Sequence, residues 1–478
     1  MLARKEVRMP LKSVNNPQEY LMRKKHLITG FALALGMLFN KDASAQSSKE
    51  IKLITLDPGH FHAALVQKNM YQEVSPEVRV YAPAGTDLDF HLQRIQGYNT
   101  RKDNPTQWQE KVYTGNDYLE KMLADKAGNV VVIAGNNRIK ADYLQKSVNA
   151  GFNVLADKPM IINGGDFEQL KQTFAAAAQK NVLLYDIMTE RYEISTMLQR
   201  EFSMLPGAFG KLEKGTPDNP AVTKESVHHF YKYVSGSVLT RPAWFMDIAQ
   251  QGEGIVDVNT HLVDLIQWEC FPHQVIDYKK DIRINDARHW TTDMTLSQFK
   301  AITKLAGFPD YLKKDVVKDT LLKVFCNGEI NYQLKGIHAK ASVIWAYQAP
   351  EGGGDTHYSI MRGTKANLII RQGAEQNYKP TLYIEPVTKA ASYEADLLKA
   401  LAVVQKQYPG VSLKKNAKGW EVEIPEKYKE GHEAHFGRVT EKYLEFLKQG
   451  KLPAWEVPNM LAKYYTTTQA LKVATKTR

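Results

Sequence analysis

The chain has 478 residues, of which 43% are hydrophobic, 24% are charged and 10% are aromatic. This composition excludes a disordered or fibrous chain, and the length predicts two domains. The two cysteines, Cys270 and Cys326, are too few for a disulfide framework or a four-thiolate zinc site. The net charge of +11 would suit a polyanionic partner, so its position along the chain matters.

Residues 22–45 have the three parts of an export signal. A basic segment, residues 23–25, precedes an apolar stretch, residues 27–39, and an Ala-Ser-Ala cleavage pattern that ends at Ala45. The apolar stretch is shorter than the roughly 20 residues that a membrane span requires. We therefore expect a periplasmic protein that is translated from Met22, is cleaved after about Ala45 and has no stable membrane span.

The positive charge is concentrated in this N-terminal segment. The first 45 residues carry eight basic and three acidic side chains, a net of +5, which leaves +6 on the remaining 433 residues. Those residues contain no block of lysine and arginine and no basic stripe with interleaved aromatic residues. The sequence therefore argues against a nucleic-acid partner.

Short apolar runs alternate with helical patterns over residues 46–187. The apolar runs predict strands over residues 51–57, 78–81, 129–134, 153–156 and 181–185, and the helical patterns extend to residue 70 and over residues 140–150 and 165–179. This alternation indicates βαβ units. It predicts a doubly wound parallel sheet of the Rossmann type, covered on both faces.

The pattern changes after residue 187 to strands separated by long excursions. The predicted strands cover residues 226–234, 321–325, 338–347, 358–362, 367–371 and 381–384, and the predicted helices cover residues 195–205, 254–268, 435–448 and 460–473. Residues 188–478 are therefore predicted to form a substrate-binding α+β domain with a large, mostly antiparallel sheet. The overall class is α/β.

The loop after the first strand, residues 57–62, reads DPGHFH where a dinucleotide-binding fold carries G-x-G-x-x-G. The middle glycine, Gly59, is retained, and it is the glycine that lets the backbone approach a pyrophosphate. An acidic side chain at the first position repels a phosphate unless it turns away. The candidate cofactor contacts around this edge are Gly59, His60, Phe61 and Asn136.

The tripeptide Asp157-Lys158-Pro159 follows the fourth predicted strand. Ligands of open α/β sheets bind at the carboxyl ends of the strands, so Lys158 is placed to meet one. A lysine there could donate to a sugar hydroxyl, and its charge lowers the pKa of an alcohol. A solvated loop lysine is the alternative interpretation of this tripeptide taken alone.

The segment at residues 252–264, GEGIVDVNTHLVD, places Asp257, His261 and Asp264 on one face of a predicted helix. A carboxylate one turn from an imidazole can orient it, and histidine accepts protons near neutral pH. The alternatives are a set of salt bridges on a helix face and a partial metal site. No third strong ligand lies at a fixed short spacing, so we expect no metal.

A βαβ domain with D/E-K-P at a strand end, followed by G-x-G-x-x-D-x-x-x-H-x-x-D, resembles the Gfo/Idh/MocA oxidoreductase family. The resemblance covers about residues 50–270, and the rest of the chain resembles the C-terminal extension of a secreted branch. It implies an NAD(P)-dependent enzyme in which Lys158 is the motif lysine, His261 the acid/base and Asp257 its partner. Asp157 and Lys158 would also contact the cofactor. NAD and NADP are not distinguished, because the second strand does not end on an acid.

Residues between the two motifs mix aromatic and charged side chains, as saccharide clefts do. The candidate substrate contacts are Lys232, Arg241, Trp244 and Asp247, together with His261. Packing within sheets and loops explains any one of the first four equally well.

The predicted function is oxidation of a hydroxyl of a sugar or glycoside, such as its 3-hydroxyl, to a keto-sugar. Free nicotinamide cofactor is scarce outside the cytoplasm, so NAD or NADP should be tightly held. One alternative is an NAD-dependent glycosidase that oxidises its substrate transiently and eliminates the aglycone. Another is a saccharide-binding protein without catalysis, which the altered glycine loop permits. The resemblance also implies a homo-oligomer.

Overall fold

A six-stranded parallel sheet forms the N-terminal part of the computed structural model, which describes residues 50–234 and 237–476. Its strands are β1 (Leu53–Leu56), β2 (Glu77–Tyr81), β3 (Gln109–Tyr113), β4 (Val130–Ile133), β5 (Asn153–Asp157) and β6 (Leu184–Ile187). They lie in the order β3-β2-β1-β4-β5-β6, and every neighbouring pair is parallel. The predicted doubly wound sheet is confirmed. The predicted export signal, residues 1–45, lies outside the described residues.

The helices of this part follow the strands along the chain. They are α1 (His62–Val66), α2 (Thr86–Thr100), α3 (Tyr118–Asp125), α4 (Lys140–Asn149), α5 (Phe167–Lys180) and α6 (Ile194–Ser203). Strands β1, β4 and β6 are buried along their whole length, and apart from Thr55 and Asp186 their side chains are apolar or aromatic. Strand β3 was not predicted, because it is an edge strand whose side chains are mostly exposed and polar.

The second sheet is large and mixed. The strands that follow in the chain are β7 (Val222–Tyr231), β8 (Tyr233–Val234), β9 (Ser237–Val238), β10 (Ile282–Thr295), β11 (Val316–Val317), β12 (Leu321–Leu334), β13 (Ile337–Gln348), β14 (Thr356–Arg362), β15 (Ala366–Arg371), β16 (Thr381–Pro386), β17 (Ser412–Asn416) and β18 (Gly419–Glu423). The sheet order is β10-β12-β13-β7-β14-β15-β16-β18-β17, with β11 beside β12, while β8 and β9 form a separate ribbon. Only β7 and β13 pair in parallel among these described strands, so the predicted mostly antiparallel sheet is confirmed.

The remaining helices are α7 (Ile248–Gln251), α8 (Asn259–Cys270), α9 (Leu296–Thr303), α10 (Tyr393–Gln407), α11 (His432–Gln449) and α12 (Glu456–Lys476). The helix predicted over residues 254–268 therefore begins at Asn259, after a stretch of turns. Strand β10 was missed because only Ile282, Ala287 and Met294 of its residues are buried, so it shows no alternating apolar pattern. Among the described residues, no helix is both long enough and apolar enough to cross a membrane.

The two C-terminal helices return to the N-terminal sheet. Phe436 and Tyr443 of α11 and Tyr464 of α12 are buried in the same apolar core as the strands β1, β4 and β5. The first turn of α11 thereby reaches the carboxyl edge of the parallel sheet, where the His62 and Phe436 rings lie 4.5 Å apart.

A buried ion network ties helix α12 to the rest of the molecule. The Arg191 guanidinium donates to both carboxylate oxygens of Asp264, at 2.6 and 2.7 Å. Lys463 of α12 lies 2.9 Å from Asp264 and 2.7 Å from Asp186, and Arg191 also contacts Glu456 at 2.9 Å. Asp264, which shares a predicted helix face with His261, is therefore part of a salt-bridge set.

Candidate active site

A cleft of about 1280 Å³ opens at the carboxyl edge of the parallel sheet. The loop after β1 and the end of β5 form one wall, and β7, β13 and the residues before β14 form the other. The start of α11 lies at the rim. The cleft thus occupies the edge at which open α/β sheets bind their ligands.

Lys158 and Asp257 meet in this cleft as a buried ion pair. The ammonium nitrogen of Lys158, directly after β5, lies 2.7 Å from Asp257 Oδ1. The amide of Gln251 donates to the other carboxylate oxygen at 2.9 Å. Asp257 therefore fixes the position of the lysine, whereas the sequence analysis made it the partner of His261.

His261 lies on the first turn of α8 and lines the same cleft. Burial, together with the nearby charge of Lys158, holds the pKa of His261 well below its ordinary value. Its Nδ1 atom is buried and has no hydrogen-bond partner among the described residues. A neutral imidazole with a free ring nitrogen is suited to accept a proton from a bound ligand.

His60 and His62 converge on Asp157 at the floor of the cleft. The Nδ1 atoms of the two histidines lie 3.1 and 3.0 Å from the same oxygen, Asp157 Oδ2. Burial lowers the pKa of both imidazoles. Burial alone would raise the pKa of Asp157, but the two histidines hold it well below the usual range.

Two predicted substrate residues, Lys232 and Arg241, also line the cleft. Lys232 donates to Asp355 Oδ2 at 2.7 Å. The Arg241 guanidinium is buried, and it donates to the carbonyls of Phe230 and His229 at 3.0 and 3.1 Å. Arg241 thus fixes the wall of the cleft, while Lys232 lies nearer its mouth.

Four other predicted residues, of which Gly59 is described below, do not line this cleft. The indole of Trp244 donates to Asp87 at 2.9 Å, and Asp247 caps α7 and pairs with Lys314 at 3.0 Å. The Asn136 amide donates to Gln250 at 2.7 Å. Trp244 and Asn136 thus link the N-terminal part of the chain to the C-terminal part, whereas Asp247 contacts residues of the C-terminal part.

Several residues that line the cleft were not predicted as site residues. Asn137 follows the predicted Asn136 by one position, and Glu190, His228 and His432 come from three separate elements. Burial raises the pKa of Glu190 to about 7. Asp355, which precedes β14, accepts a hydrogen bond from the backbone N–H of His229 at 3.0 Å. Only the tertiary fold brings these elements together.

The loop that should seat a pyrophosphate is closed by the chain itself. The backbone N–H of Gly59 donates to the Asp57 carbonyl at 2.9 Å, and that of His60 donates to the Ala134 carbonyl at 3.0 Å. A Cβ added to Gly59 would lie 3.2 Å from Trp244 Cζ2, so the indole covers the glycine. Trp244 and Asp87 therefore close off the contact that a pyrophosphate makes at the middle glycine of such a loop.

The side chains at the nicotinamide end fit a dinucleotide better. Lys158, Asn137 and His261 line an open cleft at the carboxyl edge, where this fold places the reactive ring. The unpartnered Nδ1 of His261 is a buried polar atom that a ligand can satisfy. The sequence thus differs from a dinucleotide-binding fold in the loop after β1, while Lys158 and His261 line the cleft.

Gly254, in the predicted G-x-G motif, is required by a close backbone approach. A Cβ at this position would lie 1.7 Å from the carbonyl oxygen of Cys326 in β12. We expect Gly254→Ala to lower the free energy of unfolding by about 1–3 kcal/mol or more, as measured by urea denaturation. The added methyl group can be accommodated only if the backbone at residue 254 and the carbonyl of Cys326 move apart. Gly307→Ala is the control, since nothing lies within 4 Å of a Cβ there. Equal effects of the two substitutions would contradict this explanation.

Two family profiles match the chain. The profile described as "Putative oxidoreductase C terminal domain" matches residues 198–475, and the one described as "Oxidoreductase family, NAD-binding Rossmann fold" matches residues 91–186. The fold and these matches define an oxidoreductase with an NAD-binding Rossmann domain. The chain belongs to the Gfo/Idh/MocA family. The second match begins after β1, the altered loop and β2.

Individual relatives agree with this family. A crystal structure of a putative oxidoreductase from Parabacteroides merdae is 61% identical, covers 90% of this chain and 98% of its own, and has a TM-score of 0.88. Levoglucosan dehydrogenase in complex with NADH and levoglucosan is 11% identical, with 90% and 98% coverage and a TM-score of 0.55, which shows a shared fold. An uncharacterized oxidoreductase of Schizosaccharomyces pombe is 26% identical over 155 residues, which are 32% of this chain and 36% of that protein.

Proposed function

We propose that this protein is an oxidoreductase that acts on a hydroxyl group of a saccharide or glycoside. The observation that carries the proposal is the convergence of Lys158, held by Asp257, and a neutral His261 on one cleft at the carboxyl edge of the parallel sheet. Oxidation of an alcohol requires that its proton be removed as the carbon loses a hydride, and these side chains are suited to that proton transfer.

The roles of the three side chains follow from their charges. Nδ1 of His261 accepts the proton of the substrate hydroxyl, because the imidazole is uncharged near neutral pH. The ammonium group of Lys158 donates to the same hydroxyl oxygen and stabilises its developing negative charge. Asp257 orients the lysine through the 2.7 Å contact and acts as a positioning residue.

The cleft wall formed by β7, β13 and the residues before β14 suits a saccharide. Trp345 lies in this wall with its ring centroid 5.2 Å from that of His228 and 4.9 Å from that of Phe230. Aromatic faces pack against the apolar faces of sugar rings, while Lys232 and Asp355 at the mouth offer a donor and acceptors for hydroxyls. The saccharide complex of levoglucosan dehydrogenase supports the same substrate class.

NAD or NADP, when bound, supplies the hydride acceptor of this family's chemistry. Lys158 and Asn137 are the residues that would contact its nicotinamide end. For a protein that acts in the periplasm, as the export signal in the sequence predicts, we propose a tightly retained cofactor. The altered loop favours one other candidate function, a saccharide-binding protein without redox chemistry.

Mass spectrometry of freshly purified, denatured protein separates these two functions. We expect it to detect NAD or NADP in an amount close to that of the protein. Incubation of the native protein with a panel of glycosides should then yield a product lighter by two hydrogens than its substrate. Absence of both dinucleotides, together with failure to bind added NADH and an unchanged glycoside that still binds, would favour the saccharide-binding protein.

A further inference from the structure

The proton-transfer chemistry of the cleft does not explain why His60, His62 and Asp157 lie so close together. One ring nitrogen from each histidine and one carboxylate oxygen all lie within 4.8 Å of one another. The three residues come from two segments of the chain, since Asp157 is 95 residues from His62. They meet because the loop after β1 and the end of β5 lie at the same edge of the parallel sheet.

We propose that His60, His62 and Asp157 bind a divalent transition-metal ion of the zinc class, with one coordination position open to the cleft. Imidazole nitrogen and carboxylate oxygen are the ligands that such ions prefer. Three protein ligands with one open position form the usual pattern of a catalytic rather than a structural zinc site.

The spacing of the ligand atoms suits such an ion. Tetrahedral zinc with bonds of roughly 2.0–2.1 Å to nitrogen and oxygen separates its ligand atoms by about 3.3 Å. The two histidine nitrogens lie 3.1 and 3.0 Å from the shared carboxylate oxygen. The two nitrogen–oxygen separations are therefore within a few tenths of an ångström of those that the ion requires, and the two nitrogens lie within 4.8 Å of each other.

The cluster is incomplete as a hydrogen-bond network alone. Both imidazoles are directed at Oδ2 of Asp157, while Oδ1 of the same carboxylate is buried and has no partner among the described residues. Asp157 is only 3% exposed, so an unpartnered carboxylate oxygen there is costly. A metal ion, or water bound to it, would satisfy this oxygen.

The ligands are held in place before any ion arrives. The backbone N–H of His60 donates to Ala134 at the end of β4, and the His62 ring packs 4.5 Å from Phe436 of α11. Asp157 is the last residue of β5. Such support fixes the side-chain directions and favours binding, because little freedom is lost.

The proposed metal ligands share their cleft with the proposed catalytic residues, so the open coordination position is accessible to the same substrate. His60, His62 and Asp157 line the same cleft as Lys158 and His261. The ligand that we infer for the open position is an oxygen donor, which is water in the free protein and a hydroxyl or carbonyl oxygen of the saccharide in the complex. The identity of this second ligand rests on the proposed function, whereas the metal site itself does not.

The test measures metal binding without any substrate. Protein treated with a chelator and dialysed against Co²⁺ should retain close to one ion per chain by elemental analysis and should show the visible absorption bands of four-coordinate Co²⁺. His62→Asn and Asp157→Asn should each weaken Co²⁺ binding by at least about 100-fold in titration calorimetry. Addition of azide should shift the absorption bands if one position is open.

His432→Asn is the matched control, because its ring lies 6.2 Å from that of His62 in the same cleft but outside the ligand set. It should leave Co²⁺ affinity unchanged. Circular dichroism without metal checks that each variant is folded. Wild-type protein that retains no ion, or binding that survives both His62→Asn and Asp157→Asn, would overturn the site. Bands that azide does not shift would overturn the open position.

These outcomes are independent of the proposed function. If the glycoside reaction depends on His261 but no ion binds, the metal site alone is wrong. If one ion binds and no glycoside reacts or binds, the saccharide function is wrong and the metal site stands.

Discussion

Replacing His261 by asparagine is expected to lower kcat for the oxidised glycoside by about 10²–10⁴-fold, the usual contribution of a positioned general base. Asparagine keeps a polar side chain at the start of α8 but cannot accept the substrate proton. The measurement is steady-state turnover with the glycoside identified in the product screen and with an added keto-sugar as the oxidant that takes the hydride back from the reduced cofactor, alongside the thermal unfolding midpoint. Glycoside affinity should change far less than kcat, because the proton is transferred only in the transition state.

The pH dependence gives a second readout of the same residue. Burial and Lys158 hold the pKa of His261 well below its ordinary value, so the base stays neutral when the pH falls below about 6.5. We therefore expect kcat/KM of the wild type to persist into mildly acidic solution.

His338→Asn, on β13 and outside the cleft, is the control and should leave both turnover and the pH profile unchanged. Unchanged turnover in His261→Asn would remove His261 from the chemistry.

Replacing Asp264 by alanine is expected to lower the free energy of unfolding by about 3–5 kcal/mol. The substitution leaves Arg191 and Lys463 buried without the carboxylate that both contact at 2.6–2.9 Å. Urea denaturation at neutral pH measures this effect. Asp293→Ala removes an exposed ion pair with Lys323 and should cost less than about 1 kcal/mol. Similar losses in the two variants would contradict the role of the buried network.

The stabilisation by this ion network should depend on pH. Burial would raise the pKa of Asp264, but Arg191 and Lys463 hold it well below its ordinary value in the folded protein. Because the folded-state pKa is depressed, the stabilisation is present above the unfolded pKa of about 3.9 and is lost as the pH falls below it. The difference in unfolding free energy between wild type and Asp264→Asn should therefore shrink as the solution is acidified from about pH 5 to pH 2.

The strands and helices that the sequence predicted share one property, a periodic apolar pattern. Strands β1, β4, β5 and β6 are covered on both sides, so each is a run of buried residues that the sequence displays directly. Strands β3 and β10 were not predicted, because both lie at the edge of a sheet and few of their side chains are buried. The predicted helix over residues 254–268 was too long at its start, because Gly254 packs against β12 in a turn.

The candidate site was predictable where chemistry depends on strand ends. Lys158 and His261 were identified because the first follows a parallel strand and the second lies in a glycine-led motif, and the resemblance to a known family gave them their roles. The partner of Asp257 was not predictable from helical spacing, since the helix begins two residues after it. Its carboxylate contacts Lys158, 99 residues away along the chain.

The amino-acid sequence by itself determined the parallel sheet and the mostly antiparallel second sheet, because apolar periodicity is a local property of a chain. It supplied Lys158 and His261 only as candidates, through short motifs that resemble those of a known family. Only the tertiary structure decided that Trp244 covers Gly59, that Asp264 belongs to an ion network and that His60 and His62 meet Asp157. Each of these contacts joins residues that are distant in sequence. Their proximity depends on how the strands order themselves in space, and no local pattern records that order.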